Sequence, residues 1–243
     1  MGSVPSDAGH FATTRWSVVL AAGSPSSSHH EQALGTLCEA YWFPLYAYLR
    51  RRGHDTYQAE DYTQAFFARM LEKQYLRDVD PAPGRFRSFL LVALKRFIAD
   101  QRDRTQALQR GGGRKLLSLD VNRAESRYTL EPVSELSPDR IFEKSWALTV
   151  LEQAMVRMEA EFAKSGRQEL FDRLSVYLAG KTDAIAYRDV AVELDMNEDA
   201  VKSAVYRMRK QYREILRHEI AQTVASSDQV DEEIRDLFAA LAY

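Results

Sequence analysis

The sequence holds a single cysteine, Cys38, among 243 residues. A lone thiol cannot close an intramolecular disulfide, so no covalent framework holds this chain. The five histidines, at positions 10, 29, 30, 54 and 218, do not fall at zinc-ligand spacing with it. Neither a metal nor another cofactor is expected. No run of eighteen apolar residues occurs, and the stretch from Met1 to His10 lacks the basic start and apolar core of an export signal. The expectation is a soluble, cytoplasmic protein without membrane insertion. Catalytic signatures are missing too: there is no HExxH, nucleophile elbow, paired catalytic carboxylate motif or dinucleotide fingerprint, so an enzyme is not expected and no catalytic residue is assigned. The last absence is an excess of basic charge. With 33 Lys and Arg against 35 Asp and Glu, the net charge of -2 gives no basic footprint over the whole chain, and charge has to be read locally.

What is present points to helices. A hydrophobic fraction of 45%, with eleven Phe and twelve Tyr, supplies apolar surface for two helical cores, and the length suits two compact units joined by a linker. Leu34, Leu37, Cys38, Tyr41, Trp42, Leu45, Tyr48 and Leu49 recur at spacings of three and four, a helical stripe that Gly53 ends. Asp55 can cap the next helix while Gln58 reaches back, an arrangement similar to a capping box, and Ala59, Tyr62, Phe66, Phe67 and Met70 form its apolar face. After the Pro81-Ala82-Pro83-Gly84 break, a third stripe runs through Phe86, Phe89, Leu90, Ala93, Leu94, Phe97 and Ile98.

Periodicity then lapses from Gly111-Gly112-Gly113 to Pro138, which reads as a linker. A phosphate-cradling role for the triplet is disfavoured, because no strand precedes it and no Walker pattern surrounds it. Helical spacing resumes through Ile141, Trp146, Val150, Leu151, Ala154 and Met158, and again from Leu170 to Leu178. The expected organisation is all-α: an N-terminal arm with a short helix around Thr13 to Leu20 (1–29), a helical domain (30–108), a flexible linker (109–138), a second helical domain (139–222) and an acidic amphipathic extension (223–243).

Within the second domain, Tyr187 to Arg209 reads as a helix-turn-helix. Val190, Ala191 and Leu194 share one face of a short helix; Asp195-Met196-Asn197 makes the turn; Ala200, Val201, Ala204, Val205 and Met208 form the inner face of the next helix. Asn197 is a natural cap, with Glu198 and Asp199 at the positive end of the dipole. Those inner positions leave Lys202, Ser203, Tyr206, Arg207 and Lys210 pointing outward as groove candidates, with Arg209, Lys210 and Arg213 placed to neutralise phosphates. Between Lys202 and Arg217 stand six bases against Glu214 alone, whereas Glu219, Asp228, Asp231, Glu232, Glu233 and Asp236 oppose only Arg235 after it. An ordinary solvated helix pair is the competing reading.

The order of these pieces, from about Glu31 to Glu219, resembles the extracytoplasmic-function (ECF) sigma-70 family of RNA polymerase sigma factors. The carrying residues are Tyr48-Leu49-Arg50-Arg51-Arg52-Gly53, Ala59-Glu60-Asp61 with Gln64, Gly84-Arg85-Phe86-Arg87-Ser88-Phe89-Leu90, and the helix-turn-helix. The resemblance implies a sigma region 2 bundle and a sigma region 4 helix-turn-helix, with core RNA polymerase and promoter DNA as partners. Glu60, Asp61 and Gln64 would dock on the β′ clamp helices, and the second domain would meet the β flap. The melted minus-10 element would be held by Tyr75, Arg77, Arg85, Phe86, Arg87, Lys95 and Arg96, since a melted strand needs bases for its phosphates and an aromatic face for an unstacked nucleotide. Core packing is the competing role for Tyr75 and Phe86. The minus-35 element would be read by Lys202, Ser203, Tyr206, Arg207, Arg209, Lys210 and Arg213, and the linker would thread polymerase channels.

The match departs from the family at Gln58 and Ala65, positions commonly acidic, which leaves a thin acidic docking surface. Thr63 lies in that same segment. A phosphate there would add about -1.5 to -2 charges, and the resemblance to kinase-linked ECF subgroups makes a Ser/Thr kinase a candidate partner and Thr63 its target. A half-buried, unmodified threonine is the alternative. An anti-sigma factor is a further candidate partner. The C-terminal stripe of Val230, Ile234, Leu237, Phe238 and Leu241 is expected to pack on the chain's own second domain, or else to cover the basic recognition region or the first domain and hold the factor inactive through charge complementarity and apolar docking. A stand-alone helix-turn-helix regulator and an adaptor using the same fold for protein contacts are the rival functions.

Overall fold

A computed structural model describes residues 30–72, 85–107, 125–128, 136–178, 186–221, 223–224 and 226–242. Its regular elements are helices, with no strand among the described residues, as the 3.6-residue periodicity requires. In chain order they are α1 (His30–Arg51), α2 (Thr56–Glu72), α3 (Phe86–Ala107), α4 (Pro138–Lys164), α5 (Gln168–Leu174), α6 (Tyr187–Glu193), α7 (Glu198–Ala221) and α8 (Val230–Leu241), with short 3-10 turns at Ser175–Tyr177 and Ser227–Gln229. The expected N-terminal helix around Thr13 to Leu20, the glycine triplet, Tyr75 and Arg77 lie outside the described residues.

The chain forms two units, Met1–Ala147 with Ala221–Tyr243, and Leu148–Ile220. This division differs from the expected one in two respects. The first turns of α4 belong to the first unit, where Trp146 and Glu143 meet Arg87. The acidic C-terminal helix α8 also belongs to the first unit, not to the second domain of the first expectation but to the first domain named among its alternatives.

In the first unit, α1, α2 and α3 bury Tyr41, Leu45, Tyr46, Leu49, Phe67, Leu90 and Leu94 almost completely. Local chemistry sets the joints. Gly53 has φ 89, which a Cβ would resist, and its turn lets the His54 amide donate to the Leu49 carbonyl at 3.2 Å, closing α1. The capping box at α2 forms as expected: Gln58 N donates to Asp55 Oδ1 at 2.8 Å, and Asp55 N to Gln58 Oε1 at 3.4 Å. Part of the expected linker is docked. Residues 125–128 make a helical turn whose Glu125 accepts from Arg50 Nη2 at 2.7 Å, from Arg50 Nε at 3.0 Å and from the Tyr46 hydroxyl. Arg127 stacks 4.1 Å from the centre of the Phe43 ring.

In the second unit, Ala154, Met158 and Phe162 of α4 are buried together with Phe171, Leu174, Val190, Val201, Val205 and Met208. Arg157 bridges to Glu219 at 2.9 Å, and Gln211 donates to Glu161 at 2.8 Å, tying α7 to α4.

Candidate nucleic-acid interface

The helices α6 and α7 are joined by the short turn that the sequence places at Asp195-Met196-Asn197. The turn hinges on Asp195, whose φ of 50 is the one positive value on a non-glycine residue among the described positions. Aspartate tolerates this left-handed conformation better than most L-residues. It allows Met196 N to donate to Ala191 O at 2.9 Å and ends α6. Asn197 then caps α7 by accepting the Ala200 amide on Oδ1 at 2.7 Å. Val201, Ala204, Val205 and Met208 face inward, and Ala200 and Leu194 are partly covered.

The opposite face of α7 is open. Lys202, Ser203, Tyr206, Arg207, Lys210 and Arg213 are all exposed, Tyr206 at 69%. Lys202 is held by Glu198 at 2.8 Å and Asp199 at 3.5 Å on the preceding turn, and the carboxylates favour its charged form. Arg209 differs from the expectation. Although exposed, its Nη2 donates to the Tyr177 carbonyl at 3.0 Å, which commits the guanidinium to holding the unit together rather than to a phosphate.

Beside this face lies a groove that periodicity did not reveal. A cavity of about 160 Å³ is lined by Phe162, Arg167, Leu170 and Leu174 from one side and by Ala204, Arg207, Met208 and Gln211 from α7. Its lining joins two stretches, 162–174 and 204–211, that are distant in sequence, so no local pattern could mark it.

On the first unit, the predicted acidic pair lies on the outer side of α2, with Asp61 exposed and Glu60 partly so. Gln64 is buried to 9% exposure and donates from Nε2 to Glu60 Oε1 at 2.9 Å. It orients the carboxylate and does not itself offer a contact surface, which corrects its assignment as a docking residue. Thr63 is 0% exposed, and its hydroxyl donates to the Ala59 carbonyl at 2.6 Å. A kinase cannot reach this oxygen unless α2 unpacks, and a dianionic phosphate has no room beside the core.

Of the residues expected at a melted strand, those among the described residues differ in exposure and in partners. Phe86 is 0% exposed, meeting Tyr41 edge-on at 5.3 Å between ring centres, so it is a core residue and not a stacking platform for a base. Arg96 is exposed. Lys95 pairs with Asp139. Arg85 and Arg87 are enclosed by acids: Arg85 meets Glu233 at 2.8 Å, Glu232 at 3.3 Å and Asp236; Arg87 meets Glu233 at 3.0 Å, Asp236 at 3.5 Å and Glu143, and lies 4.2 Å from the centre of the Trp146 ring. Burial pushes the Glu233 carboxyl above the usual glutamate range, although Arg87 and Arg85 pull it back.

Among the described residues no cluster of His, Cys, Asp and Glu is arranged to hold a metal ion, and no helix is long and apolar enough to cross a membrane. No protein-family model matches the chain, and neither a curated protein nor a solved structure matches it.

Proposed function

We propose that this protein is a sigma-type transcription initiation factor that brings core RNA polymerase to specific promoters. The observation that carries the reading is the α6–α7 pair: a capped second helix whose buried face is apolar and whose open face presents Lys202, Ser203, Tyr206, Arg207, Lys210 and Arg213. Such a face suits a major groove, with residues early on the helix at base edges and later cations at phosphates. In this reading it recognises the minus-35 element. The exposed Asp61 and partly exposed Glu60 supply an acidic surface for the clamp helices of the β′ subunit, with Gln64 fixing the orientation of Glu60. The groove beside Arg207 and Gln211 suits an apolar segment of the β flap. Arg85, Arg87, Lys95 and Arg96 are assigned to the minus-10 strand, where they would meet phosphates; the buried Phe86 has no part in it. The buried Thr63 gives phosphorylation no support in this conformation, so the proposal does not include a kinase switch.

A sigma factor and a stand-alone regulator differ in what DNA binding requires. Band shifts with promoter-length duplexes, with and without purified core polymerase, test this directly. The chain should shift DNA specifically only with core present, and Glu60→Lys with Asp61→Lys should abolish that core-dependent shift by removing core binding. Tight, specific shifts by the chain alone would favour the stand-alone regulator.

A further inference from the structure

The Arg85–Arg87 site carries the wrong sign for nucleic acid as it stands. Two guanidinium groups face four carboxylates, those of Glu143, Glu232, Glu233 and Asp236. Three of the four belong to α8, and they fall at positions 232, 233 and 236, one turn of one helix face. Withdrawing α8 would leave two cations against Glu143 alone, turning a negative site into a positive one. We infer that α8 is an intramolecular stand-in for the nucleic-acid backbone, seated on Arg85 and Arg87, and that it must be displaced before this surface can hold a phosphate strand. The inference rests on the reading that these arginines serve promoter DNA.

Three features make α8 suited to displacement. Its grip is in part ionic, and a carboxylate bound between arginines gives up solvation that offsets much of what the ion pairs return. Glu233 takes that penalty at 0% exposure, while Glu232 and Asp236 stay 61% and 40% exposed at the rim, where salt and competing anions reach them. The apolar part of the docking face is incomplete: Val230, Leu237 and Ala240 are buried and Ile234 and Leu241 partly so, but Phe238 is 55% exposed. Finally, the geometry the arginines offer is one that phosphate can take over, because both Arg–carboxylate and Arg–phosphate pairing use the same fork of N–H donors. Arg87 presents that fork to Glu233 through Nε and Nη2, at 3.0 and 3.1 Å.

The test uses the full chain and a fluorescently labelled single-stranded oligonucleotide, which the helix-turn-helix has no reason to prefer. In the Glu232→Gln, Asp236→Asn double variant the buried Glu233 is kept, so the fold should persist by circular dichroism. Anisotropy should show oligonucleotide affinity raised on the order of tenfold at low salt, with the gain lost when Arg85→Gln is added. Equal affinity of parent and double variant, or a gain indifferent to Arg85, overturns the inference. Hydrogen exchange on the unmodified chain gives a second arm that no folding defect can confound. Saturating oligonucleotide should lower protection across 230–241, and unchanged protection there contradicts displacement. The parent function is read separately: if core polymerase never confers promoter-specific shifts on either chain, the initiation-factor reading fails, while the competition between α8 and single-stranded nucleic acid is decided by the two arms above.

Discussion

Thr63 shows how one hydroxyl can be read two ways from sequence and only one way from structure. As a polar residue between Tyr62 and Gln64 it looked available for modification, yet a threonine inside a helix can satisfy its own hydroxyl on the carbonyl four residues back, as it does on Ala59. That bond lets the side chain enter the core. Thr63→Val should therefore change stability by no more than about 1.5 kcal/mol, while Thr63→Glu, which buries an unpaired charge, should cost at least about 3 kcal/mol, both measured by chemical denaturation. A well-folded Thr63→Glu chain would reopen the site to phosphorylation. Asp195 makes the converse point. The turn it forms was legible because the flanking apolar patterns demanded a reversal within three residues, and its positive φ explains why a small polar residue stands there. Asp195→Gly should be neutral or stabilising, whereas Asp195→Val should cost on the order of 1–3 kcal/mol, read as a drop in the thermal midpoint.

At the scale of elements, the apolar stripes of α1, α2 and α3 and both helix caps could be read directly from spacing, because those features depend on residues within one turn of each other. Features made by residues far apart could not. Nothing local in 109–138 says that Glu125 will find Arg50 and Tyr46, and nothing in the acidic stripe of α8 says which arginines it will meet. Glu125 also gives the docked turn a pH signature. Burial pushes its carboxyl up, but hydrogen bonds from Arg50 and Tyr46 and the Arg50 charge outweigh that and hold it below its ordinary value of 4.5. A carboxyl depressed in the folded state stabilises fully above its unfolded value and loses that contribution as pH falls through the folded one. Thermal midpoints of the chain and of Glu125→Gln should therefore differ at pH 6 and converge as the pH is taken below 4.5. A gap that persists in acid would show that the carboxylate charge is not what docks this segment.

For the whole molecule, the near-zero net charge that first argued against nucleic acid has a structural account. Acids and bases are segregated along the chain and partly neutralise one another within the first unit, where α8 covers Arg85 and Arg87. The open face of α7 is a basic surface that remains accessible. On the proposed function, the protein should bind promoters weakly alone and become competent only once a larger assembly supplies further contacts. The measurement that bears most directly on this is run-off transcription with purified core polymerase, the protein, and a pool of upstream DNA from its source genome. Discrete transcripts that require the protein and disappear with Lys202→Glu plus Arg207→Glu are the predicted result; a transcript pattern identical with and without the protein would contradict it.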